Sequence, residues 1–199
     1  MPRIRWLGFI KGDLASYQQG ALPQGAVKLD MPRSTGELMK KAAVFLPVPF
    51  TAIFAAMFGK TYLNGQAVVS PVWVIVGVCA GFPALLLHEL LHAFPYPKDA
   101  TVHIGIYPKA LAAVALVSYP VVRRRFIVMS LLPVVLGLAP MALFLLLPPE
   151  WRPLNGFLFG FAAMGLVAPY PDFYQVFQVL RQTPRGCRIQ FVEDDIYWF

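Results

Sequence analysis

Long apolar runs, separated by short polar or proline-rich breaks, organise this chain. Four of them, at about residues 42–58, 70–94, 126–147 and 155–180, approach or reach the length that crosses a ~30 Å hydrocarbon core as a helix. Ser34-Thr35-Gly36-Glu37 has capping-box spacing and Lys40-Lys41 lead into the first run, which contains Pro47 and Pro49. Gly59 to Gly65 reads as a polar turn. Pro83 lies inside the second run, where it predicts a kink, and Pro95 and Pro97 end that run. Residues 98–122 have a different texture: Thr101 to Tyr107 and Ala115 to Tyr119, around a Pro108-Lys109 turn, predict two strands of a membrane-associated hairpin dipping toward the candidate site at the end of the second run. Arg123-Arg124-Arg125 open the third run, a turn at 148–153 closes it, and Ala168-Pro169-Tyr170-Pro171-Asp172 break the fourth.

The pattern predicts an all-α membrane protein: about four transmembrane helices with a short membrane-associated β-hairpin between helices 2 and 3. Residues 1–41 form a cytosolic or interfacial arm, 42–180 the helical domain and 181–199 a cytosolic tail. Composition agrees, since 58% of the residues are hydrophobic and only 14% charged, far from the ~25% charge of a soluble domain. The net charge of +7 is not laid out as a basic stripe interleaved with aromatics, so no nucleic-acid partner is expected. Segments 1–41, 95–125 and 181–199 carry 15 of the 17 Lys and Arg residues. The positive-inside rule then puts both termini and the hairpin in the cytosol of a bacterial cell, with anionic lipid at that face of the plasma membrane. No secretory signal peptide is expected in the first forty residues, and Cys79 and Cys187 are too differently placed to pair.

The chemistry sits at the end of the second run, in His88-Glu89-Leu90-Leu91-His92. Residues four apart share a helix face, so the two histidines can bind one metal ion, and Glu89 flanks them as a proton acceptor. Hydrolytic zinc usually has three protein ligands. Besides Glu89, Asp172 is the one acidic residue within the apolar runs. His88 lies 18 residues into the second run and Asp172 lies 17 into the fourth, and both runs point the same way. At 1.5 Å per residue each reaches a depth of roughly 26 Å, which makes Asp172 the expected third ligand. His103 is the rival by residue type.

On these residues the chain resembles site-2 protease-type intramembrane metalloproteases, which pair two histidines of one membrane helix with an aspartate of a later one. It is more closely similar to a small bacterial family catalogued as zincin peptidases, formerly a domain of unknown function. That resemblance rests on His88-Glu89-x-x-His92-Ala93, the stretch around His103-Ile104-Gly105, Arg123-Arg124-Arg125-Phe126 with Leu132-Pro133, and the small residues approaching Asp172. Site-2 proteases carry Asn-Pro before the aspartate and Gly after it, where this chain has Ala168-Pro169 before it and Phe173 after it.

The resemblance implies a zinc metalloprotease with one Zn2+ per chain on His88, His92 and Asp172 and with Glu89 as general base, acting on a membrane protein or peptide. His103, Ser118, Tyr170 and Tyr174 are candidates for contacting the substrate or the oxyanion. The competing readings are a zinc-binding, non-proteolytic membrane scaffold, a hydrolase of lipidated peptides and, less well matched to a single polar cluster, a metal transporter.

Overall fold

The central element is α3 (Pro71–Ala93), begun by a proline at its first turn and continuous through Pro83. In the computed structural model, which describes residues 1–108 and 112–199, it packs most extensively on α6 (Arg152–Val167). Small residues make that contact: a Cβ at Gly77 would collide with the backbone of Phe157, and one at Gly160 with the backbone of Val74. Gly137 and Gly165 do the same between α6 and α5 (Val135–Leu146). α4 (Arg123–Leu131) joins α5 through a tighter turn at Leu132–Val134, and α7 (Tyr170–Gln182) continues α6 after a break at Ala168-Pro169.

Among the described residues three helical stretches are long and apolar enough to cross a membrane: Pro71–Ala93, Arg123–Leu146 and Arg152–Gln182. A fourth is bent. Residues Thr35–Phe45, which include α1 (Thr35–Ala42), meet α2 (Pro47–Asn64) at 48°.

The first run differs from its expected limits. Gly59 does not stop α2, which continues to Asn64 and ends on Gly65, whose φ of 60° is the left-handed cap that glycine adopts freely. Lys60, expected in a turn, is therefore a buried helical residue. Its ammonium donates to the Phe144 carbonyl and, at 2.8 Å each, to the Leu147 carbonyl and Asn155 Oδ1. It thus satisfies one carbonyl of the last turn of α5 and that of its cap, which have no partner within that helix. Replacing Lys60 by Met is expected to destabilise the fold by about 1–3 kcal/mol, the cost of leaving buried acceptors unpaired. A melting temperature in detergent unchanged from wild type would show that these bonds contribute nothing.

The chain is not all-α. Among the described residues seven strands form two sheets, one of three strands and one of four. β1 (Arg3–Phe9) runs parallel to β3 (Thr101–Tyr107), and β3 pairs antiparallel with β4 (Ala112–Leu116). The hairpin's second strand thus starts earlier than the expected Ala115–Tyr119; of its expected turn, Lys109 lies outside the described residues. The second sheet joins β2 (Val27–Lys28) and β5 (Val121–Val122) to a C-terminal hairpin of β6 (Arg188–Val192) and β7 (Asp195–Trp198).

The physical reason is alternation. Arg188-Ile189-Gln190-Phe191 puts apolar side chains on one face of β6, whereas the same alternation in Arg3-Ile4-Arg5-Trp6 leaves Ile4 and Trp6 exposed on β1. Val102 and Ile104 of β3, Ile189 of β6 and Ile196 of β7 are buried with Phe126, Met129 and Val179 in one core. Ile53, Phe144, Ala162 and Leu166 form a second core among the apolar helices.

Candidate metal centre

Between the two cores, α3 and α7 bring three side chains together. His88 Nε2 and His92 Nε2 are 3.0 Å apart. Asp172 presents Oδ2 to His88 at 3.3 Å and Oδ1 to His92 at 3.5 Å. The helical spacing of four residues supplies the histidine pair. The break at Ala168-Pro169 restarts the helix so that Asp172 falls in the first turn of α7. There the helix dipole favours its negative charge, and its carboxylate faces the imidazoles instead of capping a backbone amide.

The two separations to Asp172 match those of a metal's ligand atoms, and the 3.0 Å between the imidazoles is somewhat shorter. A tetrahedral ion with bonds of about 2.0–2.2 Å spaces its ligand atoms about 3.3–3.6 Å apart. The donor set of two imidazoles and one carboxylate is of the kind found in hydrolytic zinc sites, with a coordination position left over. Among the described residues these three are the group of His, Cys, Asp and Glu side chains able to hold an ion together, with one ligand atom from each within 4.8 Å of the others.

His92 is also oriented from behind. Its Nδ1 lies 2.8 Å from the Met129 carbonyl oxygen. A carbonyl only accepts, so Nδ1 carries the hydrogen and Nε2 turns its lone pair toward His88 and Asp172.

Glu89 stands outside the ligand group but lines the same cavity of about 570 Å³. One wall of that cavity is β4, the edge strand of its sheet, and Glu89 faces the backbone of Ala115 there. Tyr170 also lines the cavity.

The remaining expected contacts go elsewhere. Ser118 Oγ accepts from Gln190 Nε2 at 3.2 Å. Tyr174 lines a different cavity, on the other side of α7. His103 lies on β3 opposite Arg5 of β1, its ring 5.6 Å from that of Tyr17, and so is no rival to Asp172. Among the cavity residues that went unnoticed in the sequence are Ser130, Gln175 and, from the N-terminal segment, Gln18. Gln175 had a signal, since it follows Asp172 by three residues on one helix face.

Burial, and secondarily the Arg5 guanidinium, hold the His103 imidazole below its usual pKa. A histidine kept neutral in the fold is protonated more readily once unfolded. The stability it contributes is therefore present above about pH 6.5 and is lost as pH falls toward its folded pKa. The melting temperature is expected to drop on acidification below that point, and to drop less in His103→Leu. Parallel curves for the two proteins would remove His103 from the effect.

No curated protein and no solved structure matches the chain. A family model does, over residues 81–188, more than half of the length and a span that includes both histidines, Glu89, β3, β4 and Asp172. The chain therefore belongs to the family described as "Putative zincin peptidase".

Proposed function

We propose that this protein is an intramembrane zinc metalloprotease of site-2 protease layout. It hydrolyses peptide bonds of membrane-associated substrates near the cytosolic face of the bacterial plasma membrane, with both termini in the cytosol. The observation that carries the reading is the convergence of His88, His92 and Asp172 at the end of long apolar helices, in one cavity with Glu89 and a strand edge. The concentration of 15 of the 17 Lys and Arg residues in the segments on that side supports the orientation.

Zinc on those three residues would polarise the scissile carbonyl and acidify a water molecule toward a pKa of ~7. Glu89 takes the proton from that water as its oxygen bonds to the carbonyl carbon. It then returns the proton to the leaving nitrogen as the C–N bond breaks. The free edge of β4 offers backbone donors and acceptors to an unwound stretch of substrate. Unwinding is required because the carbonyls of a substrate helix are already hydrogen-bonded and shielded.

The test is cleavage by the full chain in lipid nanodiscs. A fluorogenic transmembrane peptide is compared with a lipidated soluble peptide. Cleavage of the first that stops with a zinc chelator and resumes on zinc addition supports the proposal. Cleavage of the lipidated peptide alone would favour the hydrolase of lipidated peptides. A zinc-loaded protein that leaves both intact would favour the scaffold.

A further inference from the structure

α7 carries polar groups on two faces. Asp172 and Gln175 border the metal cavity. Tyr174, Gln178, Arg181 and Gln182, spaced by four and then three or four residues, share another face. With Asp30 and Lys41 they line a second cavity of about 350 Å³. Its position is fixed by Gln182, whose Oε1 accepts the Asp30 N–H at 2.8 Å and whose Nε2 donates to the Asp30 carbonyl at 3.1 Å and to Gln178 Oε1 at 2.9 Å. Lys41 pairs with Glu37 at 2.8 Å, which leaves its other protons to donate. The Tyr174 hydroxyl, the Gln178 amide nitrogen and the Arg181 guanidinium have no bond to protein among the described residues.

The space is thus bordered by two cations, two neutral donors and one carboxylate. Donors of this kind fit a phosphate, while Asp30 fits an ammonium. Phe177, one turn before Arg181, and Leu180 are exposed, as is Val44 beside α1, and the Phe45 and Phe177 rings touch at 5.9 Å. An exposed apolar strip continuing from a polar cavity has the shape of a lipid.

We propose that this cavity binds the headgroup of an amine-bearing, zwitterionic phospholipid. The phosphate lies against Arg181, Lys41, Tyr174 and Gln178, the ammonium against Asp30, and the acyl chains over Phe177, Leu180 and Val44. The assignment rests on the membrane placement of the helices and not on peptidase activity. Because Thr35 and Met39 of α1 also border the metal cavity, a lipid bridging α1 and α7 holds one wall of that cavity in place.

The test is native mass spectrometry of the full chain, stripped of lipid and then offered phosphatidylethanolamine, phosphatidylglycerol or inorganic phosphate. The expected result is one retained phosphatidylethanolamine. Arg181→Ala should bind it about tenfold more weakly, the worth of a hydrogen bond to a charged group. Asp30→Asn should erase the preference over phosphatidylglycerol, and both variants should keep their zinc. Equal retention of the two lipids, displacement by inorganic phosphate at equal concentration, or no effect of Arg181→Ala would each overturn it. A protein that cleaves nothing but retains the lipid would sink the peptidase reading alone.

A different observation concerns His92. In an unbroken helix the Met129 carbonyl would accept the N–H of residue 133, but that residue is Pro133, which has none. The geometry points to Pro133 as a positioning residue that frees this carbonyl for His92 Nδ1. Pro133→Ala supplies the missing N–H as a competitor. It is expected to weaken zinc binding by about tenfold or more, as loss of such an outer partner does. Pro140→Ala mends α5 in the same way, away from the site, and is the control. Equal zinc affinities for the two variants, by competition with a chelating dye, would overturn the assignment.

Discussion

Glu89→Gln is expected to abolish peptide hydrolysis while leaving about one zinc bound per chain. Gln keeps the size of Glu and its capacity to accept a hydrogen bond, so the contact with the Ala115 backbone can persist. It loses the ability to take a proton and hand it on, a function worth about 10²–10⁴ in rate. The carboxylate is not among the three grouped side chains able to hold an ion, so metal content separates loss of chemistry from loss of the site. The measurement is single-turnover cleavage beside zinc stoichiometry on one preparation. A variant within about tenfold of wild-type rate would remove Glu89 as general base, since general catalysis is worth at least ~10². Full biological function in a cell that lacks detectable cleavage would point instead to the scaffold.

What could be foreseen from the chain divides by the range of the interaction. The limits of α3 followed from one uninterrupted apolar run, expected at 70–94 and found at Pro71–Ala93. The juxtaposition of His88 and Asp172 followed from rise alone, because two helices running the same way fix depth by residue count. The long-range strand pairings were hidden for the opposite reason. Arg3-Ile4-Arg5-Trp6 shows a strand's alternation, but its partner Thr101–Ile104 lies almost a hundred residues away. β2 pairs with β7 across a still longer loop. No turn signal announces such pairings, and strands this short look like arms and tails.

Residue type also failed to predict facing. Ser118, Tyr174 and His103 have suitable chemistry, but the first bonds to Gln190, the second faces another cavity and the third sits across β3 from Arg5. The Met129 carbonyl was invisible as a backbone atom, although Pro133, four residues on, marked it as free.

Removing Asp172 should have the largest effect on the metal. In Asp172→Ala the two imidazoles remain 3.0 Å apart, but the one anionic ligand is gone and a second open position appears. Two neutral nitrogens do not offset the charge of a dication in a partly buried site, and i, i+4 histidines alone present only one edge of a tetrahedron. Outer partners of metal ligands are worth about 10–100-fold in affinity, so loss of a direct ligand should exceed ~100-fold. Zinc per chain should therefore fall from about one to a small fraction after dialysis, taking any hydrolysis with it. Asp172→Asn keeps the shape and one oxygen without the charge, and should fall between the two. His103→Ala, remote from the group, should retain its zinc. If Asp172→Ala keeps one zinc at wild-type affinity, the third ligand is another group and the pairing of α3 with α7 is structural. If His103→Ala loses it instead, the sheet must rearrange to bring β3 to the metal.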